Sequence, residues 1–253
     1  MDYKGQSEKT ARYYNEWQER YDEIYGDTIQ AFRPASKDAL MQYIAQSAGI
    51  KPGLKILDAG CGVGGPAIWI AEKFDVLVSG ITISEKQAEQ ARQTVAKKNI
   101  EHRVRIIAGD YHELQFHFDK ESFDLILFLE SLGHSGNSSK AIKEAYEMLK
   151  PGGAVYIKDF YYKEPDDVYW RNRIAKTIAN INKLYSYNAL KLSDTIDALR
   201  SSGFEIEFIR KFSFVDDISI RLEFERKFGI DIFGGEEEFY PAEWLEMKCI
   251  KPW

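Results

Sequence analysis

Residues Lys55 to Ala71 read KILDAGCGVGGPAIWIA. The apolar run Lys55-Ile56-Leu57 ends in Asp58, passes through Gly60, Gly62, Gly64 and Gly65, and continues into the amphipathic run Pro66-Ala67-Ile68-Trp69-Ile70-Ala71. This is the pattern of a strand, a tight turn and a helix start. Glycines suit such a turn because they take up positive φ and leave the amides at the helix N-terminus open to a ligand. A nucleotide-like ligand seated against Gly60 and Gly62 is the expectation.

Gly60, Gly62 and Gly65 also satisfy G-x-G-x-x-G, a fingerprint that is weak by itself. A nicotinamide or flavin binder should carry an acid about 20 residues on, at the end of the next strand, for the ribose hydroxyls. Here the next apolar segment, Val76 to Ser84, ends without a carboxylate, and Gln87 follows on the next helix. The unusual acid is Asp58, just before the glycines, where a carboxylate can order the turn and accept hydrogen bonds from a cationic amino-acid ligand.

With these residues in view, the chain resembles the class I S-adenosylmethionine-dependent methyltransferases. The phrase Gly80-Ile81-Thr82-Ile83-Ser84-Glu85-Lys86-Gln87 is similar to the G-[IV]-T-[IL]-S-x-x-Q variant of cyclopropane fatty acid synthases, sugar O-methyltransferases and prenyl-diphosphate C-methyltransferases. The resemblance spans roughly Lys51 to Phe160. It implies S-adenosyl-L-methionine as cofactor, with Thr82, Ile83 and Gln87 around the ribose. It also implies Asp110 and Tyr111 at the adenine, the first accepting from its amino group and the second covering the ring. Tyr14 belongs to an N-terminal aromatic helix that either packs on the core or closes as a lid over cofactor and substrate, and the lid reading places it beside the cofactor.

Elsewhere strands and helices alternate as in a parallel sheet covered on both faces. Residues 1–50 form an expected N-terminal helical lid, 51–160 the cofactor core, and 161–192 and 212–243 substrate-side insertions, all in one domain. The lid begins with a helix over Ser7 to Arg33 whose Tyr14, Trp17, Tyr21 and Tyr25 share a face. A second helix opens at Ser36 or Lys37. Strands are expected at Arg103 to Ala108, Phe123 to Leu129, Ala154 to Phe160, Phe204 to Lys211 and Trp244 to Ile250, and helices at Ser84 to Lys98, Ser138 to Leu149 and Leu192 to Ser202. The resemblance therefore implies an α/β, Rossmann-like methyltransferase fold: a seven-stranded, mostly parallel sheet with a C-terminal antiparallel strand, plus the helical lid and insertions.

A net charge of −6 over 253 residues argues against a nucleic-acid partner and for a small-molecule substrate. Hydrophobic residues at 44% and charged residues at 29% are ordinary for a globular chain, which excludes neither a monomer nor a homo-oligomer. The two cysteines, Cys61 and Cys249, form no evident disulfide framework, and no apolar run approaches the roughly 20 residues needed to cross a bilayer. The N-terminus lacks a signal-peptide profile, so the expected location is cytoplasmic.

The segment after the fourth strand, Glu130-Ser131-Leu132-Gly133-His134, should face the transferred methyl, because ligands of open α/β sheets gather at the carboxyl ends of strands. The spacing E-x-x-x-H resembles E-A-T-C-H of sterol C-methyltransferases and E-S-G-E-H of tocopherol C-methyltransferases, with only Glu130 and His134 in common. Both are candidate catalytic residues. With the resemblance they imply C-methylation of an isoprenoid or prenyl-diphosphate-like alkene through a carbocation, stabilised by aromatic faces and carboxylates. The alternative is an O- or N-methyltransferase of a sugar, phenol or amine, with His134 as base. No protein metal site is expected. An acceptor bearing a diphosphate would call for Mg²⁺ and for cations such as Arg33, Lys37, Arg171 or Arg173.

Overall fold

The first strand of the glycine motif becomes the centre of a sheet. The computed structural model describes residues 3–34, 36–212 and 218–253. Its strands are β1 (Lys55–Ala59), β2 (Leu77–Thr82), β3 (Val104–Ala108), β4 (Phe123–Leu129), β5 (Leu149–Tyr162), β6 (Glu205–Lys211) and β7 (Ala242–Ile250). They form one seven-stranded sheet in the order β3-β2-β1-β4-β5-β7-β6. Strands β1 to β5 pair in parallel, and β7 runs antiparallel to both β5 and β6. The strand order reverses between β1 and β4, the crevice where α/β sheets bind their ligands.

Burial follows the pleat. Ile56 packs into a core layer with Leu40, Ile44 and Trp69, whereas Leu57 packs into the opposite layer with Ile142, Ala145 and Leu199. Adjacent strand residues face opposite sides, and here both sides are covered, which is why β1 and β4 read as continuous apolar runs. The covering helices are α2 (Lys37–Ala48), α3 (Gly65–Lys73), α4 (Glu85–Lys97), α5 (Ser138–Met148) and α7 (Leu192–Ser202). Helices α1 (Tyr3–Tyr25), α6 (Val168–Leu184) and α8 (Ser219–Phe228) complete the chain. Side chains cap the helix starts where the sequence offers them: Ser36 Oγ accepts from Ala39 N, and Ser84 Oγ from Gln87 N. No helix among the described residues is long and apolar enough to cross a membrane.

Three boundaries differ from the pattern-based reading. Helix α1 ends at Tyr25, not Arg33, because Gly26 takes φ +63° and Asp27 to Arg33 lie as an irregular strap over the sheet. Strand β5 runs back to Leu149, through the stretch read as a helix stop, because Leu149 pairs with Phe123 across a register irregularity. In the insertion expected over residues 212–243, residues 213–217 lie outside the described residues; the rest contributes α8 and the first residues of β7.

The strap packs hard against the glycine turn. A Cβ built on Gly65 would lie 1.9 Å from the Asp27 carbonyl oxygen, so a side chain there must displace the strap. Gly65→Ala is expected to lower unfolding free energy by about 1–3 kcal/mol, read by urea denaturation. Unchanged stability would show that the strap does not rest there.

Candidate active site

Two cavities open at the carboxyl ends of β1, β4 and β5. The first, with about 800 Å³ of space, lies over the glycine turn; its wall includes Asp58, Gly60, Gly62, Thr82, Ile83, Gln87, Asp110, Tyr111, Glu130, His134 and Tyr14. The residues read from sequence thus come together around one space. The second holds about 1390 Å³ and is lined by aromatic side chains, among them Tyr21, Tyr25, Phe160, Tyr185, Tyr187 and Trp244. Tyr14, Ile29, Glu130 and His134 belong to the walls of both.

The glycine turn is shaped by contact as well as by conformation. Gly60 has φ +91°, and a Cβ on it would sit 2.4 Å from Ser131 Cβ. Ser131 Oγ donates to the Ala59 carbonyl at 2.6 Å, tying the end of β4 to the end of β1. Asp58 is 1% exposed and receives the Ala67 amide from the first turn of α3, while its Oδ2 is buried with no hydrogen-bond partner. Burial pushes its carboxyl up to about 7. A buried carboxylate oxygen with nothing to accept fits a cationic ligand, which the amino group of S-adenosylmethionine supplies.

The motif residues have partners that the sequence did not disclose. Thr82 Oγ1 donates to Gln87 Oε1 at 2.8 Å, and Gln87 Nε2 donates to Gln18 Oε1 of α1 at 2.6 Å. Ser84 Oγ donates to Asn15 Oδ1 at 2.6 Å. The G-I-T-I-S-x-x-Q phrase therefore anchors helix α1 as well as facing the first cavity. Asp110 caps the short 3-10 turn Tyr111–Phe116, its Oδ1 accepting from His112 N and meeting His112 Nδ1 at 2.5 Å. Tyr111 Oη donates to the Ser131 carbonyl at 3.0 Å.

Between the cavities, His134 Nδ1 lies 3.1 Å from the Ser186 carbonyl, and its Nε2 lies 2.9 Å from Tyr14 Oη. A carbonyl can only accept, so Nδ1 carries the proton and Nε2 accepts from the Tyr14 hydroxyl. Burial pushes the His134 imidazole down to about 4, so it is neutral at ordinary pH. Glu130 has φ +55°, a left-handed conformation unusual for a non-glycine residue. Its Oε1 accepts from Lys158 Nζ, and its Oε2 from the Ala31 amide at 2.7 Å.

Sequence reasoning missed Lys158, Asp159 and Tyr187. Asp159 accepts from the amides of Gly133, at 3.0 Å, and Phe160, at 2.9 Å, and from Tyr187 Oη, and so fixes the loop that carries His134. Burial pushes Asp159 up to about 7, against these donors. The available signal was the charged pair Lys158-Asp159 inside the otherwise apolar run Ala154 to Tyr161. The cations considered for a diphosphate are engaged elsewhere. Arg33 donates to the Thr28 carbonyl, Lys37 pairs with Asp27, Arg171 binds the Pro165 and Asp166 carbonyls, and Arg173 binds the Glu237 carbonyl. None of the four lines the second cavity.

A Rossmann-like sheet with a glycine turn and an orphaned acid at its switch point has the form of a methyltransferase-type cofactor domain. Residues 50–202 match the family described as the methyltransferase domain, and the chain belongs to that family. It is similar to sterol 24-C-methyltransferase erg6 of Aspergillus fumigatus, 29% identical over 208 residues, covering 78% of this chain and 54% of that protein. It is also similar to 27-O-demethylrifamycin SV methyltransferase of Amycolatopsis mediterranei, 36% identical over 144 residues, covering 57% of this chain and 52% of that one. The chain spans about half the length of these curated relatives. Among solved structures, geranyl diphosphate C-methyltransferase from Streptomyces coelicolor A3(2), in complex with Mg²⁺, geranyl diphosphate and S-adenosyl-L-homocysteine, shares the fold with a TM-score of 0.69. It is 17% identical, covering 97% of this chain and 98% of that one.

The raised Asp58 carboxyl generates a linkage test. A cationic amino group beside Oδ2 favours the carboxylate, so binding S-adenosylmethionine near neutral pH releases a proton and affinity rises with pH through about 7. Calorimetry in buffers of different ionisation enthalpy should register that proton, and Asp58→Asn should abolish it while weakening binding. Binding without proton release would remove Asp58 from the cofactor's amino group.

Proposed function

We propose that this protein transfers a methyl group from S-adenosyl-L-methionine to an alkene carbon of a lipophilic, isoprenoid-like acceptor held in the second cavity. The observation that carries this reading is the shared wall: Tyr14, Glu130 and His134 face both the polar cavity over the glycine turn and the aromatic cavity beside it. The resemblance to sterol C-methyltransferases supports carbon as the methylated atom.

When bound, the cofactor supplies an electrophilic methyl on a sulfonium, whose bonding pair stays on sulfur as the methyl leaves. The acceptor's π pair forms the new carbon–carbon bond and leaves a cation on the neighbouring carbon. Glu130 offers a fixed negative charge at the wall. The faces of Tyr187, Phe160 and Trp244 line the space where positive charge develops. Loss of a proton from the cation then restores a double bond: Tyr14 Oη takes that proton and passes its own to His134 Nε2, along the 2.9 Å hydrogen bond between them.

The basicity of His134 bears on the choice of acceptor. An imidazole held at about 4 is a poor base for an alcohol or phenol, but a proton beside a carbocation is acidic enough for it. This supports carbon over oxygen acceptors. The 36% identical 27-O-demethylrifamycin SV methyltransferase supports a second reading, an oxygen acceptor whose hydroxyl proton goes to His134. Glu130, Glu225 and Glu238 line the second cavity against the one cation Arg221, among the described residues, which supports an uncharged acceptor over a diphosphate.

Labelled cofactor offered with sterols, prenyl alcohols and prenyl diphosphates should place label on carbon of an uncharged alkene, with no loss of turnover on chelating Mg²⁺. Label only on oxygen or nitrogen would overturn the reading. Glu130→Gln should lower turnover by about 10²–10³-fold and leave cofactor affinity within a few fold. Tyr14→Phe should lower turnover by at least about 10²-fold. Wild-type turnover in either variant would remove that residue from the chemistry.

A further inference from the structure

Lys158 is an unusual residue for the centre of a sheet. It lies on β5 between Leu129 of β4 and Glu246 of β7, and it is fully buried. An ammonium has three donors, and all three are used: Gln30 Oε1 at 2.8 Å, the Phe32 carbonyl at 2.8 Å, and Glu130 Oε1. The ring of Phe212 lies 4.6 Å from Nζ. Lys158 also receives the Glu130 amide on its own carbonyl at 2.7 Å, so the two residues are joined through backbone and side chain. Burial pushes the ammonium down from its usual range, and the charge of Glu130 opposes that shift.

Glu130 needs such support. Its left-handed backbone aims the carboxylate at the wall between the cavities, a conformation that persists only where neighbours over-determine it. The groups around the Glu130–Lys158 pair are Asp159 from β5, Tyr14 and Tyr25 from α1, Arg33 from the strap on the Lys158 side, and His134 and Tyr187. Asp159 repels a charge on Glu130, and the three tyrosines carry none at neutral pH. Lys158 is a cation in direct contact, its Nζ donating to Glu130 Oε1.

Resting on the methyl-transfer reading above, we propose that Lys158 is a positioning residue that holds Glu130 as a fixed anion at the wall between the two cavities. Glu130 is then a charge for the cationic transition state and not a base that cycles its proton. Lys158 acts through Glu130 and touches neither cofactor nor acceptor.

The test compares wild type, Lys158→Met, Glu130→Gln and the double variant. Without the ammonium, a buried carboxylate loses its counter-charge and takes up a proton. Lys158→Met turnover should therefore be at least about tenfold below wild type near pH ~6, with the deficit shrinking towards pH ~9 as Glu130 ionises. Stability must move the other way: ionising an unpaired buried acid is unfavourable, so the melting-temperature deficit of Lys158→Met should grow over the same range. In the double variant both pH trends should vanish, and turnover should match Glu130→Gln within about threefold. A turnover ratio and stability deficit that do not change with pH would overturn the proposal, and so would a further loss beyond threefold in the double variant.

Should Lys158→Met fail to fold near neutral pH, the double variant decides. It removes both charges together, which buried pairs tolerate, so a folded double variant supports the proposal and an unfolded one overturns it. A wild-type protein that transfers no methyl would sink the functional reading, while the stability comparison would still judge the ion pair.

Discussion

A lysine ammonium out of contact with water joins three parts of this protein at one point. Lys158 binds Glu130 at the end of β4 and reaches Gln30 and Phe32 of the strap, which the Ala31 amide ties back to Glu130. Taking these charges out of water costs several kcal/mol each, and the cost is offset only when every donor finds an acceptor in good geometry. The ammonium meets that condition. The strap is therefore held against the sheet by an interaction that does not tolerate a partial version of itself, and the strap in turn closes one side of both cavities.

From that clamp the division of the active site follows. The glycine turn, Asp58 and the G-I-T-I-S-x-x-Q phrase build a polar cavity. Aromatic side chains of α1, β5 and β7, with Tyr185 and Tyr187 after α6 and Phe233 and Phe239 after α8, build a larger, aromatic one. Helix α1 serves both: Asn15 and Gln18 dock it on Ser84 and Gln87, while Tyr21 stacks on Phe224 of α8 with ring centroids 4.6 Å apart. A helix packed on both sides covers the wall between the cavities, and water displaced from that wall by bound ligands would strengthen the electrostatic interactions there. Covering and packing are one role for this helix.

The parts of the fold legible in the sequence were those set by local pattern. The alternation of apolar runs and caps gave the strands and helices, and the late strand pairing antiparallel with β5 and β6 agrees with the expected methyltransferase sheet. The eleven residues assigned from the sequence to the cofactor or the chemistry all line the first cavity. What was not legible depended on distant pairing. Nothing near Tyr14 in the chain announces that His134, 120 residues away, will accept from it. Gln18 reads as one polar residue on an amphipathic helix, yet it is fully buried on Gln87. Asp110, assigned by resemblance to adenine, also answers to its immediate neighbours as the cap of a 3-10 turn. The expected helix through Arg33 failed because the strap's hydrogen bonds go to Glu130 and Lys158, partners that helix periodicity cannot foresee.

The central claim is that the methyl crosses at the wall formed by Tyr14, Glu130 and His134, between a cofactor over the glycine turn and an acceptor among the aromatic side chains. A crystal structure of the protein with S-adenosylhomocysteine tests it most directly. The ligand's amino group should lie at Asp58 and its sulfur should face that wall, with the Glu130–Lys158 contact intact. Sulfur directed away from the second cavity, or a strap displaced with the ion pair broken, would contradict it.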